Sequence, residues 1–220
     1  MRNRIVLLLM LVVSLGLRAQ VGISAGVSSV KGFGIPKPYL GMHLGVEIPR
    51  DDAISFYGRA SFSLPNRGDF QGTTYATAID QANTTPYLQT VTYNDKMNYT
   101  VLEGGSRHYI GDGYDSGFGA YGGTNVSIIF NKVSRDYSDF DQTKYQLDQN
   151  QNQTKGSIFN LGLGLTGGVK NTFAGIGTFY FDVNVSYLLI SLPSNSLAQQ
   201  GELYTPLLFN FALGFRRELY

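Results

Sequence analysis

The chain has 220 residues, with 17 Lys and Arg against 16 Asp and Glu, and neither Cys nor Trp. Lack of cysteine removes disulfides, thiolate catalysis and cysteine-bound zinc or iron–sulfur centres, and the near-neutral charge offers no basic stripe for nucleic acid. Only 15% of residues are charged while Gly (27), Tyr (15) and Phe (14) abound, against about 25% charged in an ordinary soluble domain.

The N-terminus places Arg2 and Arg4 before an apolar run, Ile5–Leu17, that ends in Arg18-Ala19-Gln20. A basic start, an apolar core and a small residue at the cut describe a secretory signal peptide. Residues 1–19 are therefore expected to be removed after Ala19, leaving residues 20–220 as one domain. The three arginines go with the leader, so 14 bases face 16 acids, about −2 for the mature chain. No later stretch reaches the roughly twenty apolar residues of a spanning helix, so any membrane span must be made of strands.

Eight stretches alternate with a period of two. The first, about Val21–Val30, sets Val21, Ile23, Ala25 and Val27 against Gly22, Ser24, Gly26 and Ser28. The second, Tyr39–Ile48, sets Leu40, Met42, Leu44 and Val46 against Gly41, His43, Gly45 and Glu47. After a turn at Pro49–Asp52, the third sets Ile54, Phe56, Ala60 and Phe62 against Ser55, Tyr57, Arg59 and Ser61. The fourth, about Met97–Ile110, slips near Val101–Gly105, which predicts a bulge at Gly104 and Gly105. A turn at Gly111–Ser116 leads to the fifth, about Phe118–Phe130. The sixth alternates from Phe159 to Leu165 and turns at Val169–Gly175. The seventh runs from Thr178 to Leu189, and the eighth carries Leu207, Phe209, Phe211, Leu213 and Phe215 on one face.

Strands of about ten residues suit a tilted bilayer crossing. Short turns take turns with long links at Lys31–Lys37, Pro65–Lys96, Lys132–Gly156 and Ser191–Tyr204, the asymmetry of a transmembrane barrel with two unlike ends. One face is rich in Phe and Leu, the other in Gly, Ser, Thr and Asn. Small polar residues make a poor water-facing exterior but fill a narrow eight-stranded lumen, so the apolar face is assigned to lipid and the lipocalin-like soluble barrel becomes the rival. Parity of an even strand number places the short turns in the periplasm and the long links at the cell surface. Alternation then directs Glu47, Arg59, Glu103, Arg107, Asp182 and Arg216 into the lumen, three acids and three bases, which favours a plugged interior over a conducting pore.

These features resemble the small eight-stranded outer-membrane β-barrels of Gram-negative bacteria. The signal ending Arg18-Ala19-Gln20 and the closing strand Asn210-Phe211-Ala212-Leu213-Gly214-Phe215-Arg216 are similar to the family called outer membrane protein beta-barrel domain, with a more distant likeness to OmpX and OmpA transmembrane domains. The resemblance implies an all-β, antiparallel up-and-down barrel, integral to the outer membrane, in contact with lipid and lipopolysaccharide. It also implies recognition by the outer-membrane insertion machinery, although Arg216–Leu219 separates the last alternating aromatics from Tyr220. No catalytic motif, cofactor or metal comes with it.

Other candidates are sparse. Ser106 and His108 share a strand face near Glu103, which raises a lipid A hydrolase, since a nucleophile needs a base within reach; their place beside a short turn argues against it. Asp136, Asp139, Asp141 and Asp148 offer carboxylates without the spacing of a calcium loop, and Arg67-Gly68-Asp69 is a tripeptide found in some adhesins. Phe70, Tyr75, Tyr87 and Tyr93 give the Pro65–Lys96 link amphipathic contact residues, and a long aperiodic link is usually functional or disordered. The Gln142–Gln153 tract leans to disorder. The leading reading is a non-enzymatic barrel acting through its surface loops or as an accessory subunit of an envelope complex. The alternatives are a lipid A-modifying enzyme and a narrow channel.

Overall fold

A computed structural model describes residues 20–35, 37–147, 153–198 and 205–219. The leader at 1–19, Asp148 and Tyr220 lie outside the described residues. Ten strands form in chain order: β1 Val21–Gly32, β2 Tyr39–Pro49, β3 Ile54–Ser63, β4 Asn66–Ala78, β5 Leu88–Gly111, β6 Gly117–Tyr137, β7 Tyr145–Leu147, β8 Lys155–Phe173, β9 Gly177–Pro193 and β10 Leu207–Leu219. Eight of them close a ring in the order β1-β2-β3-β5-β6-β8-β9-β10. All its pairings are antiparallel, and closure runs along β1 and β10 from Val21↔Leu219 to Gly32↔Leu208. No helix among the described residues is long and apolar enough to cross a membrane.

The alternation sorts side chains by face. Leu40, Met42, Leu44 and Val46 of β2 point outward and are exposed, as are Phe179 and Phe181 of β9 and Leu213 of β10. On the same strands His43, Glu47, Tyr180, Asp182, Asn210 and Arg216 point inward and are buried. This is the inverse of a water-soluble barrel. Along β6, Phe118 and Phe130 mark the ends of the apolar band. Twelve residues at about 3.3 Å each and a tilt near 40° rise about 30 Å, the thickness of a hydrocarbon layer.

Three expectations change. The register of β5 against both neighbours runs unbroken through Gly104 and Gly105, so no bulge lies there. Irregularities fall instead at Arg67/Phe70 against β5 and at Leu161/Gly162 against β9. The Pro65–Lys96 link is not aperiodic: β4 pairs with the first half of β5 and makes a hairpin standing above the ring, with β7 added at Ala76–Ala78. Strand β8 reaches Phe173, which moves its turn to Ala174, Gly175 and Ile176, where Gly175 adopts φ +75°.

The lumen is also not polar throughout. Its cell-surface end is closed by an apolar plug of Val30, Tyr39, Met97, Tyr99, Val101, Ile129, Val133, Leu188 and Leu208, joined by Ile35 and Leu197 from the first and last surface links. Thr205 fastens this end by donating to the carbonyls of Phe33 and Leu207 at 3.0 and 2.9 Å.

Glycines report how tightly each face is packed. A Cβ on inward-facing Gly123 would lie 1.8 Å from the Ser106 carbonyl oxygen, whereas one on outward-facing Gly122 would meet nothing closer than 3.8 Å. Overpacking costs about 1–3 kcal/mol, while Gly→Ala at an unstrained site gains about 0.4–1 kcal/mol. Gly123→Ala is therefore expected to lower, and Gly122→Ala to keep or raise, the urea midpoint of the barrel in phospholipid vesicles. Equal midpoints for the two variants would contradict the assigned facing.

Candidate functional site: the sealed lumen and the surface sheet

The six inward charges meet in one alternating chain. Arg59 bridges Glu103 and Asp182, the latter at 2.7 Å. Arg107 bridges Asp182 at 2.5 Å and Glu47 at 2.6 Å. Arg216 reaches Glu47 at 3.1 Å and Glu218 at 2.8 Å. The order Glu103–Arg59–Asp182–Arg107–Glu47–Arg216–Glu218 thus has opposite charges at every step. Exposure ranges from 0% at Asp182 to 6% at Glu103 for the six, so water does little to screen them.

Neighbours satisfy part of what remains, while Asp182 Oδ1 and Arg107 Nε are buried with no hydrogen-bond partner among the described residues. Glu47 accepts from Ser55 Oγ and Tyr109 Oη, both at 2.5 Å. The Arg107 guanidinium lies 4.2 Å from the Tyr57 ring centre, and that of Arg216 lies 3.7 Å from Tyr114, whose carbonyl accepts its Nη2 at 2.9 Å. His43 shares a 2.7 Å hydrogen bond with Tyr180. Two charges escaped the sequence argument. Glu218 lies beyond the last clear alternation of the eighth stretch, and Lys170 lies beyond Leu165, where the alternation of the sixth stretch ends. Lys170 is buried, and its Nζ donates to the Ser116 and Gly117 carbonyls, closing the periplasmic end. With both included, four acids face four bases.

Above the ring, β4 to β7 form a small sheet with its own core of Ala76, Ala78, Val91, Tyr145 and Leu147, covered by Tyr137 and Phe140. Arg135 clamps it through a two-pronged contact with Asp95 at 2.7 and 2.6 Å, with its guanidinium 3.6 Å from the Tyr93 ring centre. Burial works against the Arg135 charge, but the hydrogen bonds and charge of Asp95 raise its pKa above the ordinary value. Tyr93 also lies over Gly72, its cross-strand partner. Of the contact candidates, Tyr75 and Tyr87 are exposed, 61% and 58%, whereas Tyr93 is half-buried in this clamp. The side chain of Phe70 and those of Arg67 and Asp69 lie outside the description.

The chemical candidates do not assemble. Glu103 points into the lumen while Ser106 and His108 point outward, so the barrel wall separates the acid from the pair. Among the surface aspartates, Asp136 contacts Lys96. Asp141 turns back onto Thr143, whose hydroxyl and N–H hold its carboxyl below the usual range. No group of three metal-ligating side chains occurs among the described residues.

No family model matches the chain, and no curated protein matches it in sequence. Solved structures do resemble it. The attachment invasion locus protein Ail of Yersinia pestis, in complex with the heparin analogue sucrose octasulfate, is 13% identical with a TM-score of 0.50, covering 91% of this chain and all of Ail. A major outer membrane protein of Thermus thermophilus gives 13%, 0.49, 92% and 100% in the same terms. Neisserial surface protein A gives 11%, 0.48, 91% and 97%. The fold is that of the small outer-membrane β-barrels. With its closed ring and its apolar outer band, the chain is an integral outer-membrane protein.

Breaking one buried pair leaves its partner charge uncompensated, at a cost of about 3–5 kcal/mol. Arg107→Ala leaves Glu47 with Arg216 and Asp182 with Arg59 but puts one buried acid in excess, and is expected to destabilise the barrel by about that amount in urea titrations in vesicles. Lys144→Ala removes an exposed pair with Asp141 and should change stability by less than about 1 kcal/mol. A small effect of Arg107→Ala would show that the lumen is hydrated enough to screen the charge.

Proposed function

We propose that this outer-membrane barrel is non-enzymatic and works as a platform that displays the β4–β7 sheet to a protein partner at the cell surface, either freely or as an accessory subunit of an envelope complex. One observation carries the reading: the lumen charges are paired and the outer mouth is plugged, while the part that projects is an ordered sheet bearing exposed apolar groups. Tyr75 and Leu88 lie on one face of the β4–β5 hairpin, through the pairs Tyr75↔Thr90 and Thr77↔Leu88, and Ile79 continues that face. Their exposures are 61%, 37% and 54%. An exposed apolar patch on a rigid, charge-clamped support is a common mark of a protein-binding surface.

The channel reading lacks a path, because eight strands enclose too little room and Tyr39, Tyr99 and Leu208 fill the outer mouth. The enzyme reading loses its candidate constellation, because Glu103 is walled off from Ser106 and His108. Residues 1–19 serve in this reading as the export signal, and β10 as the strand presented to the insertion machinery.

Photo-crosslinkable residues at Tyr75 and Tyr87, activated in native membranes, test the proposal. The expected result is a discrete protein adduct at Tyr75 or Tyr87, and none at lipid-facing Leu44. Protein adducts absent at both surface positions would contradict it, as would ion conductance steps in planar bilayers or altered lipid A acylation in cells lacking the protein.

A further inference from the structure

The outward face just above the apolar band is polar and cationic on one side of the barrel. On β5, β6 and β8 two cross-strand rows lie side by side. One is Lys96, Ser134 and Lys155; the other is Asn98, Lys132 and Ser157. Paired positions sit about 5 Å apart and diagonal ones about 7–8 Å, so three lysines share a plate a few residues across. Asp136 offsets one of them through its contact with Lys96. Lys132 and Lys155 are exposed and make no ion pair among the described residues. The plate therefore holds a net +2, and like charges at this spacing repel unless an anion lies between them.

Its height fixes what that anion meets. Lys132 follows Phe130 by one alternation, and Phe130 packs edge-on against Phe159 of β8 with ring centres 5.4 Å apart. Leu161 and Leu163 continue the apolar surface below. A ligand seated here has its anionic group on the lysines and its hydrocarbon on the Phe and Leu band. The short turns assign this end to the outer leaflet, where the lipid that joins phosphate to acyl chains is lipopolysaccharide. We propose that Lys132 and Lys155, with Lys96 at the edge, bind a lipid A phosphate, so that β5, β6 and β8 form a specific lipopolysaccharide seat. The inference needs only the barrel's orientation and is independent of the protein-binding role of the surface sheet.

Binding of bisphosphorylated and of dephosphorylated lipid A to the full chain in detergent, followed by native mass spectrometry, tests it. The wild type is expected to bind the phosphorylated lipid at least tenfold more tightly. Lys132→Gln with Lys155→Gln should abolish that preference, and the Lys→Arg pair should keep it. Lys31→Gln, on β1 at the opposite side of the ring, should leave it unchanged. Equal binding of the two lipids by the wild type would overturn the proposal without reference to any variant. An equal loss in Lys31→Gln would also overturn it, because it would reduce the effect to general surface charge. Crosslinking at Tyr75 and Tyr87 reads a different surface and is unaffected by either outcome.

Discussion

Hydrocarbon offers no hydrogen bonds, and the rest of this structure depends on that constraint. Every N–H and C=O in the spanning segment must find a partner in the protein, and a closed antiparallel ring does this without a free edge. Closure along β1 and β10 therefore joins strands from the two ends of the chain. Once the ring is closed, side chains can only point to lipid or to the lumen, and each choice carries its own chemistry. Outside, Phe, Leu and Val need no partner. Inside, any charge must be matched by another, because so little water is present.

That second requirement explains the alternating chain from Glu103 to Glu218. Its members come from β2, β3, β5, β9 and β10, so the ion pairs tie strands that the backbone ladder does not join directly. Arg107 and Asp182 form the middle of the chain and link β5 to β9 across the lumen. The same pairs fill the space that a conducting path would need. Stability and closure are thus one property of the interior.

Much of this was legible in the sequence because a period of two maps directly onto facing. Glu47, Arg59 and Asp182 could be sent inward merely by counting from Leu44, Ala60 and Phe181. Alternation gives the facing but not the chemistry where both faces turn apolar, at Ile128-Ile129, Leu188-Leu189-Ile190 and Leu207-Leu208. Those apolar runs mark the plug, to which inward Ile129, Leu188 and Leu208 belong. The β4–β5 hairpin was hidden for a related reason. Above the membrane neither face meets lipid, so Thr73, Thr74, Thr90 and Thr92 suit both sides and erase the alternation. The expected bulge at Gly104 and Gly105 misread two small residues in regular alternation, Gly104 facing outward and Gly105 inward, as a slip in register. Three residues of chemistry in one neighbourhood, Glu103, Ser106 and His108, likewise lost their meaning once the wall was placed between them.

The central claim is that lipid wets the Phe- and Leu-lined face, and the absence of tryptophan allows a direct measurement. Leu44→Trp places one indole at the middle of outward-facing β2, and Tyr75→Trp places one on the surface sheet. In vesicles whose acyl chains carry bromine, the account predicts strong quenching of the Leu44→Trp fluorescence and little of Tyr75→Trp. Quenching of Leu44→Trp by aqueous iodide, with brominated lipid leaving it unchanged, would mean that water covers this face and would contradict the account.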